Sequence, residues 1–450
     1  MIAEIALLIL VLGVVMEAHF FKGAHPLNPG DELTLTFGII LTTSHIAGRL
    51  AKRINVPAIT GYMLSGLAMA WIRAPYTNEY LLEKEAIDAL RLIDHLALGL
   101  IAFTAGGELK IHRIRDQILV VRNILIAQTG FVFMGTVALA VYAGENYLPG
   151  SYDGFSEVLV VSLLLGTLAT ATSPATTFAV INECKARGPH ADVVLATTVM
   201  KDVMVILIFA VVVSVSRPLV DSTQSFDASL FGYLIWKIGG SILMGAGLAF
   251  LLAYYIDRVS GEVAIVMLIL SFLAVFLAES FSLSGLLLCL TAGFVVQNFS
   301  KSGNDFVHAL EQHATLVYMM FFALAGASID PSLLVRTWKM TLLFTMSRLV
   351  LNVLATWIGT AGDSLPHKGR AFLGLHFTPQ AGVSLGVVAI ARDKLWSLDP
   401  AIFTFLISTI AVNQIIGPVL SQFAHGQSGE AGLGIDEKPI PAGKPSPADI

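Results

Sequence analysis

The sequence predicts an all-α polytopic membrane protein of about 14 transmembrane helices, built as inverted repeats around two crossed, proline-interrupted helices. Three observations carry that prediction. Apolar residues make up 55% of the 450-residue chain and Asp, Glu, Lys and Arg only 13%, about half the charged share of an ordinary soluble domain. The apolar residues gather into runs of roughly 16 or more, the length a bilayer crossing demands. Two of those runs are broken by proline amid small polar residues. With 27 Lys+Arg against 32 Asp+Glu and no basic cluster, the composition excludes a nucleic-acid binder. Two cysteines, Cys184 and Cys289, exclude a disulfide scaffold and a multi-Cys metal site. Cys289 lies inside an apolar run and reads as a small hydrophobe.

The spans fall near 2–16, 33–48, 57–72, 92–109, 117–143, 158–182, 193–216, 230–256, 262–280, 284–299, 311–328, 340–360, 371–391 and 401–424. They read as helices because they lack period-2 alternation, and lipid forbids an exposed strand edge. The first run starts Met1-Ile2-Ala3-Glu4, acidic rather than basic, without a small-residue cleavage pattern. It therefore reads as a span and not as a secretory signal. Loops on the side of both termini hold fifteen Lys and Arg against nine opposite, which predicts cytoplasmic termini. Three cations, Lys201, Lys237 and Arg348, fall inside spans. The expected organisation is an extra N-terminal helix and loop over 1–32, a membrane domain over 33–425 and a disordered tail over 426–450. The transporting core is expected mainly in 92–216 and 311–424. The tail is rich in Gly, Pro and charge and cannot build a packed core. No G-x-G-x-x-G follows a strand pattern, and no phosphate-binding loop, H-E-x-x-H or G-x-S-x-G occurs. No nucleotide-binding domain, cofactor or enzyme activity is expected.

The interruptions are Thr170-Ala-Thr-Ser-Pro174-Ala-Thr-Thr177 and His376-Phe-Thr-Pro379-Gln-Ala-Gly-Val-Ser384. Proline removes a backbone donor and clashes one turn back, so each helix must unwind there. The freed carbonyls must face protein or water. Pro174 lies in span six and Pro379 in span thirteen, and the odd offset inverts the second triplet of helices against the first. Paired broken helices at matching positions point to the substrate site of a secondary transporter.

Charges at membrane depth cost roughly 2.5–3.5 kcal/mol each, yet the chain keeps Lys201, Asp202, Arg348 and Glu279 there. Glu108 and Lys237 lie nearer span ends, where snorkelling accounts for them about as well as function does. Asp202 follows the first broken helix, with Thr198 one turn earlier on the same face. A carboxylate among hydroxyls and unwound carbonyls is a hard-oxygen site suited to H+ or an alkali cation. Competition of the two for one carboxylate is itself an exchange mechanism. Alternatively, Asp202 neutralises Lys201 or pairs with Arg348 across helices. Thr172, Ser173 and Ser384 are candidate site hydroxyls, Arg348 and Glu279 candidate charge balancers, and His376 either a pH-tuning or a packing residue.

Several segments in order resemble the monovalent cation:proton antiporter superfamily, in its Kef-type/NapA-type branch. They are Val56-Pro-Ala-Ile-Thr-Gly61-Tyr-Met-Leu-Ser-Gly66, Phe103-Thr-Ala-Gly-Gly-Glu108-Leu, Ala171-Thr-Ser-Pro174-Ala, Phe321-Phe-Ala-Leu-Ala-Gly326-Ala-Ser-Ile-Asp330 with Arg348 in the following span, and Thr378-Pro-Gln-Ala-Gly382-Val-Ser384-Leu. The resemblance implies a homodimer in the plasma (inner) membrane of a prokaryote and elevator-like movement of the core against a dimerisation domain. It also implies that Asp202 binds the ion. Lys201, itself a candidate ion- or proton-binding residue, departs from the family, which usually has Asp, Asn or Gln there; it would mimic a bound cation, tune Asp202 or carry the proton itself. With one acid, electroneutral 1:1 exchange of Na+ or K+ for a proton is the simpler expectation. The cytosolic ligand-gating domain of Kef-type systems is absent. The alternatives are a proton-coupled anion or organic-solute transporter using Lys201 and Arg348, and a gated cation channel.

Overall fold

A computed structural model describes residues 29–72, 89–150, 152, 154–220, 228–258, 263–300, 303–362, 365 and 369–432. The span expected at 2–16 and the tail beyond 432 lie outside the described residues. Among the described residues the chain forms fifteen α-helices and one 3-10 helix. In order these are α1 (Pro29–Arg53), α2 (Ala58–Trp71), α3 (Arg91–Glu108), α4 (Ile111–Asp116), α5 (Ile118–Tyr147), α6 (Phe155–Thr170), α7 (Pro174–Glu183), α8 (Pro189–Val220), α9 (Ala228–Arg258), α10 (Val263–Ser280), α11 (Gly285–Phe299), α12 (Gly303–Ala327) and α13 (Pro331–Gly359). The 3-10 helix Arg370–Phe377, α14 (Gly382–Lys394) and α15 (Pro400–Ser428) complete the set. Each apolar run predicted from residue 33 onward coincides with one of these helices or with a broken pair. Among the described residues six spans are long and apolar enough to cross a bilayer, and the bent pair Arg370–Phe377 with Gly382–Lys394 makes a seventh.

The helices sort into two bundles. One holds α1, α2, α3, α9, α10, α11 and α12; the other holds α5, α6, α7, α8, α13, the 3-10 helix, α14 and α15. Within the first bundle, α3 packs on α11, and α12 on α2 and α3. The physical reason is close backbone approach between small residues, which drives helix association where lipid is as apolar as the side chains. A Cβ on Gly106 would lie 2.0 Å from the Leu290 carbonyl oxygen, and one on Gly293 2.0 Å from that of Phe103. α3 and α11 therefore interlock through glycine at both positions. In the second bundle, Phe344 meets Phe405 edge to face with ring centroids 5.6 Å apart.

Candidate functional site

Pro174 and Pro379 both end helices, and the structure brings the two breaks into contact. Proline at 174 cannot donate to the carbonyl of residue 170, and α6 stops at Thr170. The same proline suits the first turn of a new helix, which Ser173 caps by accepting from Thr176 N at 3.2 Å. Pro379 likewise follows the end of the 3-10 helix, and α14 resumes at Gly382. Ser173 N donates to the Pro379 carbonyl at 2.9 Å, joining the breaks directly. Gly417 on α15 makes room for the second break: a Cβ there would lie 2.5 Å from Pro379 Cα.

Arg348, 2% exposed on α13, reaches into this crossing. Its Nε donates to the Ala169 carbonyl at 2.9 Å and its Nη1 to that of Thr378 at 2.7 Å. Its Nη2 donates to Ala171 at 2.6 Å and to Phe377 at 2.9 Å. A helix leaves its last carbonyls unpaired and carries partial negative charge at that end. The guanidinium thus answers the C-terminal ends of both broken helices at once. Asn352, one turn further along α13, donates to the Phe377 carbonyl at 3.2 Å. Gln380 donates to the Leu168 carbonyl, and Asn413 on α15 holds it by donating to its Oε1 at 3.0 Å.

Lys201 and Asp202, neighbours on α8, face different surroundings. Lys201 is fully buried; its Nζ donates to Gln128 Oε1 at 3.1 Å and lies 4.9 Å from the ring centroid of Phe377. Asp202 is 6% exposed, and neither carboxylate oxygen accepts a hydrogen bond. It lines a cavity at the seam between the bundles. α8 contributes Val199, Val203 and Ile206, α14 contributes Val383, and Ser284, Leu286, Leu287 and Leu290 face them from α11 and its cap. Neither Lys201 nor Arg348 donates a hydrogen bond to Asp202, although Lys201 and Asp202 lie near enough to act on each other electrostatically.

The other candidates differ in their partners. Thr172 is buried with an unpartnered hydroxyl, whereas the Ser173 hydroxyl donates to Thr176 Oγ1 at 2.9 Å. Thr198 donates to the Val194 carbonyl at 2.7 Å. Ser384 is buried in the first turn of α14. Glu279, a candidate charge balancer, is exposed one residue before the end of α10. His376 is buried: its Nδ1 meets Ser421 Oγ at 2.8 Å, and its ring lies 4.1 Å from that of His425. Gln128, Asn352, Gln380 and Asn413 were not anticipated. Their signal was available, since an amide at membrane depth needs an interhelical partner.

The turn from α7 to α8 ties the site to the rest of the molecule. Glu183 accepts from the N–H groups of Ala58 and Ile59 at the start of α2, at 2.6 and 3.4 Å. Arg187 pairs with Glu108, so Glu108 is bound rather than snorkelling. Glu430, just past α15, accepts from His190 N at 2.8 Å and Ala191 N at 2.9 Å, and its Oε1 meets His190 Nδ1 at 3.0 Å. Burial alone would push the Glu430 carboxyl up, but the hydrogen bonds from His190 and Ala191 outweigh it and hold the group below the ordinary carboxylate range.

Known proteins share this architecture. The family model described as sodium/hydrogen exchanger, transmembrane, matches residues 38–423. The Na(+)/H(+)-K(+) antiporter GerN of Bacillus cereus is 21% identical over 416 residues, covering 89% of this chain and 98% of that protein. The probable Na(+)/H(+) antiporter 3 of Methanocaldococcus jannaschii is 26% identical over 178 residues, 39% of this chain and 41% of its own length. The solved structure of the sodium proton antiporter MjNhaP1 from Methanocaldococcus jannaschii matches with a TM-score of 0.67 at 18% identity, covering 91% of this chain and 98% of that one.

Proposed function

We propose, from the premise that the chain belongs to the sodium/hydrogen exchanger family, that it exchanges Na+ or K+ for a proton at Asp202. The family is one of multi-pass membrane antiporters, so the chemistry is binding and release without bond-making. The observation that carries the reading is the Asp202 carboxylate, buried at the seam of two bundles with both oxygens unpartnered. A buried carboxylate without donors is costly and is relieved by taking up either a proton or a cation. One carboxylate holds one at a time, so exchange is 1:1 and electroneutral. Thr172, Thr198 and Ser384 are further oxygens of the site, and Arg348 balances the helix ends of the crossing.

The seam supports an elevator-type movement: the bundle carrying the crossing slides against the one carrying α11, and Asp202 meets each side in turn. A homodimer in the plasma membrane, with both termini cytoplasmic as the Lys and Arg bias indicates, belongs to the same reading. Engagement of the Arg348 guanidinium by four carbonyls speaks against the anion-carrier alternative, which needs it as a ligand. Proteoliposomes with an internal pH dye test the proposal. Na+ or K+ gradients should drive proton movement insensitive to an imposed membrane potential, and Asp202→Asn should abolish it. Exchange that survives Asp202→Asn refutes the assignment.

A further inference from the structure

Lys201 raises a difficulty for a cation carrier. Its ammonium sits on a flexible four-carbon stem, one residue from the carboxylate proposed to bind the transported cation. Adjacent helix positions point about 100° apart, which a lysine stem can swing across. A tethered cation competes at high effective concentration with any free one. A Lys201–Asp202 pair would therefore occupy the site from within.

The structure holds the ammonium elsewhere. Gln128 on α5 is fully buried, and its Nε2 is committed twice, to the Asn352 carbonyl at 2.8 Å and to Thr356 Oγ1 at 2.6 Å. Thr356 in turn donates to the Asn352 carbonyl at 2.8 Å. With the amide nitrogen fixed on α13, its oxygen must point the other way, and there it accepts from Lys201 Nζ at 3.1 Å. The Phe377 ring, 4.9 Å from Nζ, offers its face to the same cation. Asp202 meanwhile accepts nothing.

We infer that Gln128 is a positioning residue that keeps the Lys201 ammonium off Asp202, leaving the carboxylate open to the transported cation. The inference rests on the reading of Asp202 as the ion site, and it makes Gln128 a determinant of apparent cation affinity. Na+ and K+ titrations of full-length protein in proteoliposomes test it. Gln128→Leu should raise the apparent KM for the transported cation tenfold or more, with the change in KM exceeding that in maximal rate. Adding Lys201→Gln to Gln128→Leu should bring KM back to within about threefold of wild type, since the tethered competitor is gone. Gln128→Glu, which grips the ammonium harder, should leave KM at or below wild type. If the leucine variant does not fold, Gln128→Asn withdraws the acceptor by one methylene and should move KM in the same direction. A KM unchanged in Gln128→Leu while Asp202→Asn is inactive overturns the inference alone, as does a raised KM that Lys201→Gln fails to restore. Activity in Asp202→Asn overturns the site reading and the inference with it.

Discussion

The two helix breaks that meet at the crossing are stabilised in different ways. The first is written locally: Thr170 ends α6, Ser173 supplies a side-chain cap and Pro174 opens α7. The second has no such punctuation. Its approach is a 3-10 helix, and Ala381, in the cap position of α14, provides no side-chain bond. What holds it comes from other helices: Arg348 and Asn352 from α13, and Asn413 and Gly417 from α15. A break with its own cap tolerates loss of a neighbour, while a break without one depends on its neighbours entirely.

The strongest test of that contrast is Arg348→Ala, because Arg348 donates to carbonyls at both breaks. It strands four buried carbonyls, and at roughly 1–3 kcal/mol for each orphaned group the loss is on the order of 4 kcal/mol or more. Thermal unfolding in detergent should show it, with Arg348→Lys recovering only part because an ammonium lacks the planar fork. A wild-type melting curve for Arg348→Ala would mean that the carbonyls find other partners. Next in size is a matched pair. Gln380→Ala removes the link from the second break to Leu168 and Asn413 and should cost about 1–3 kcal/mol. Ser173→Ala removes a single cap, at about 1 kcal/mol. Equal losses would dissolve the contrast.

The smallest effect concerns the tether on α8. Because the folded Glu430 carboxyl lies below its ordinary value of 4.5, its contribution to stability is fully present above that value. It is lost as pH falls through the lower folded-state value. Unfolding followed between pH 6 and pH 3 should therefore show a decline that Glu430→Gln flattens. An identical decline in both proteins would place the acid sensitivity elsewhere.

Much of this was legible in the chain itself. Hydropathy located the helices from residue 33 onward, proline among small polar residues marked both breaks, and the scarcity of charge drew attention to Lys201, Asp202 and Arg348. That α3 interlocks with α11 was not legible, because Gly106 and Gly293 reveal it only once their helices are seen side by side. Gln128 was legible as an amide at membrane depth, but its role, which lies in what its two ends touch, was not.

The division follows from the range of the forces involved. Span length, proline's missing donor and the cost of charge in hydrocarbon are properties of a segment, so the sequence alone determined a membrane-embedded, helix-broken carrier scaffold. The choice of partner for each buried charge depends on atoms distant in the chain. Only the tertiary structure decided that Arg348 answers carbonyls at 169, 171, 377 and 378, that Lys201 is held by residue 128, and that Asp202 is left without a donor.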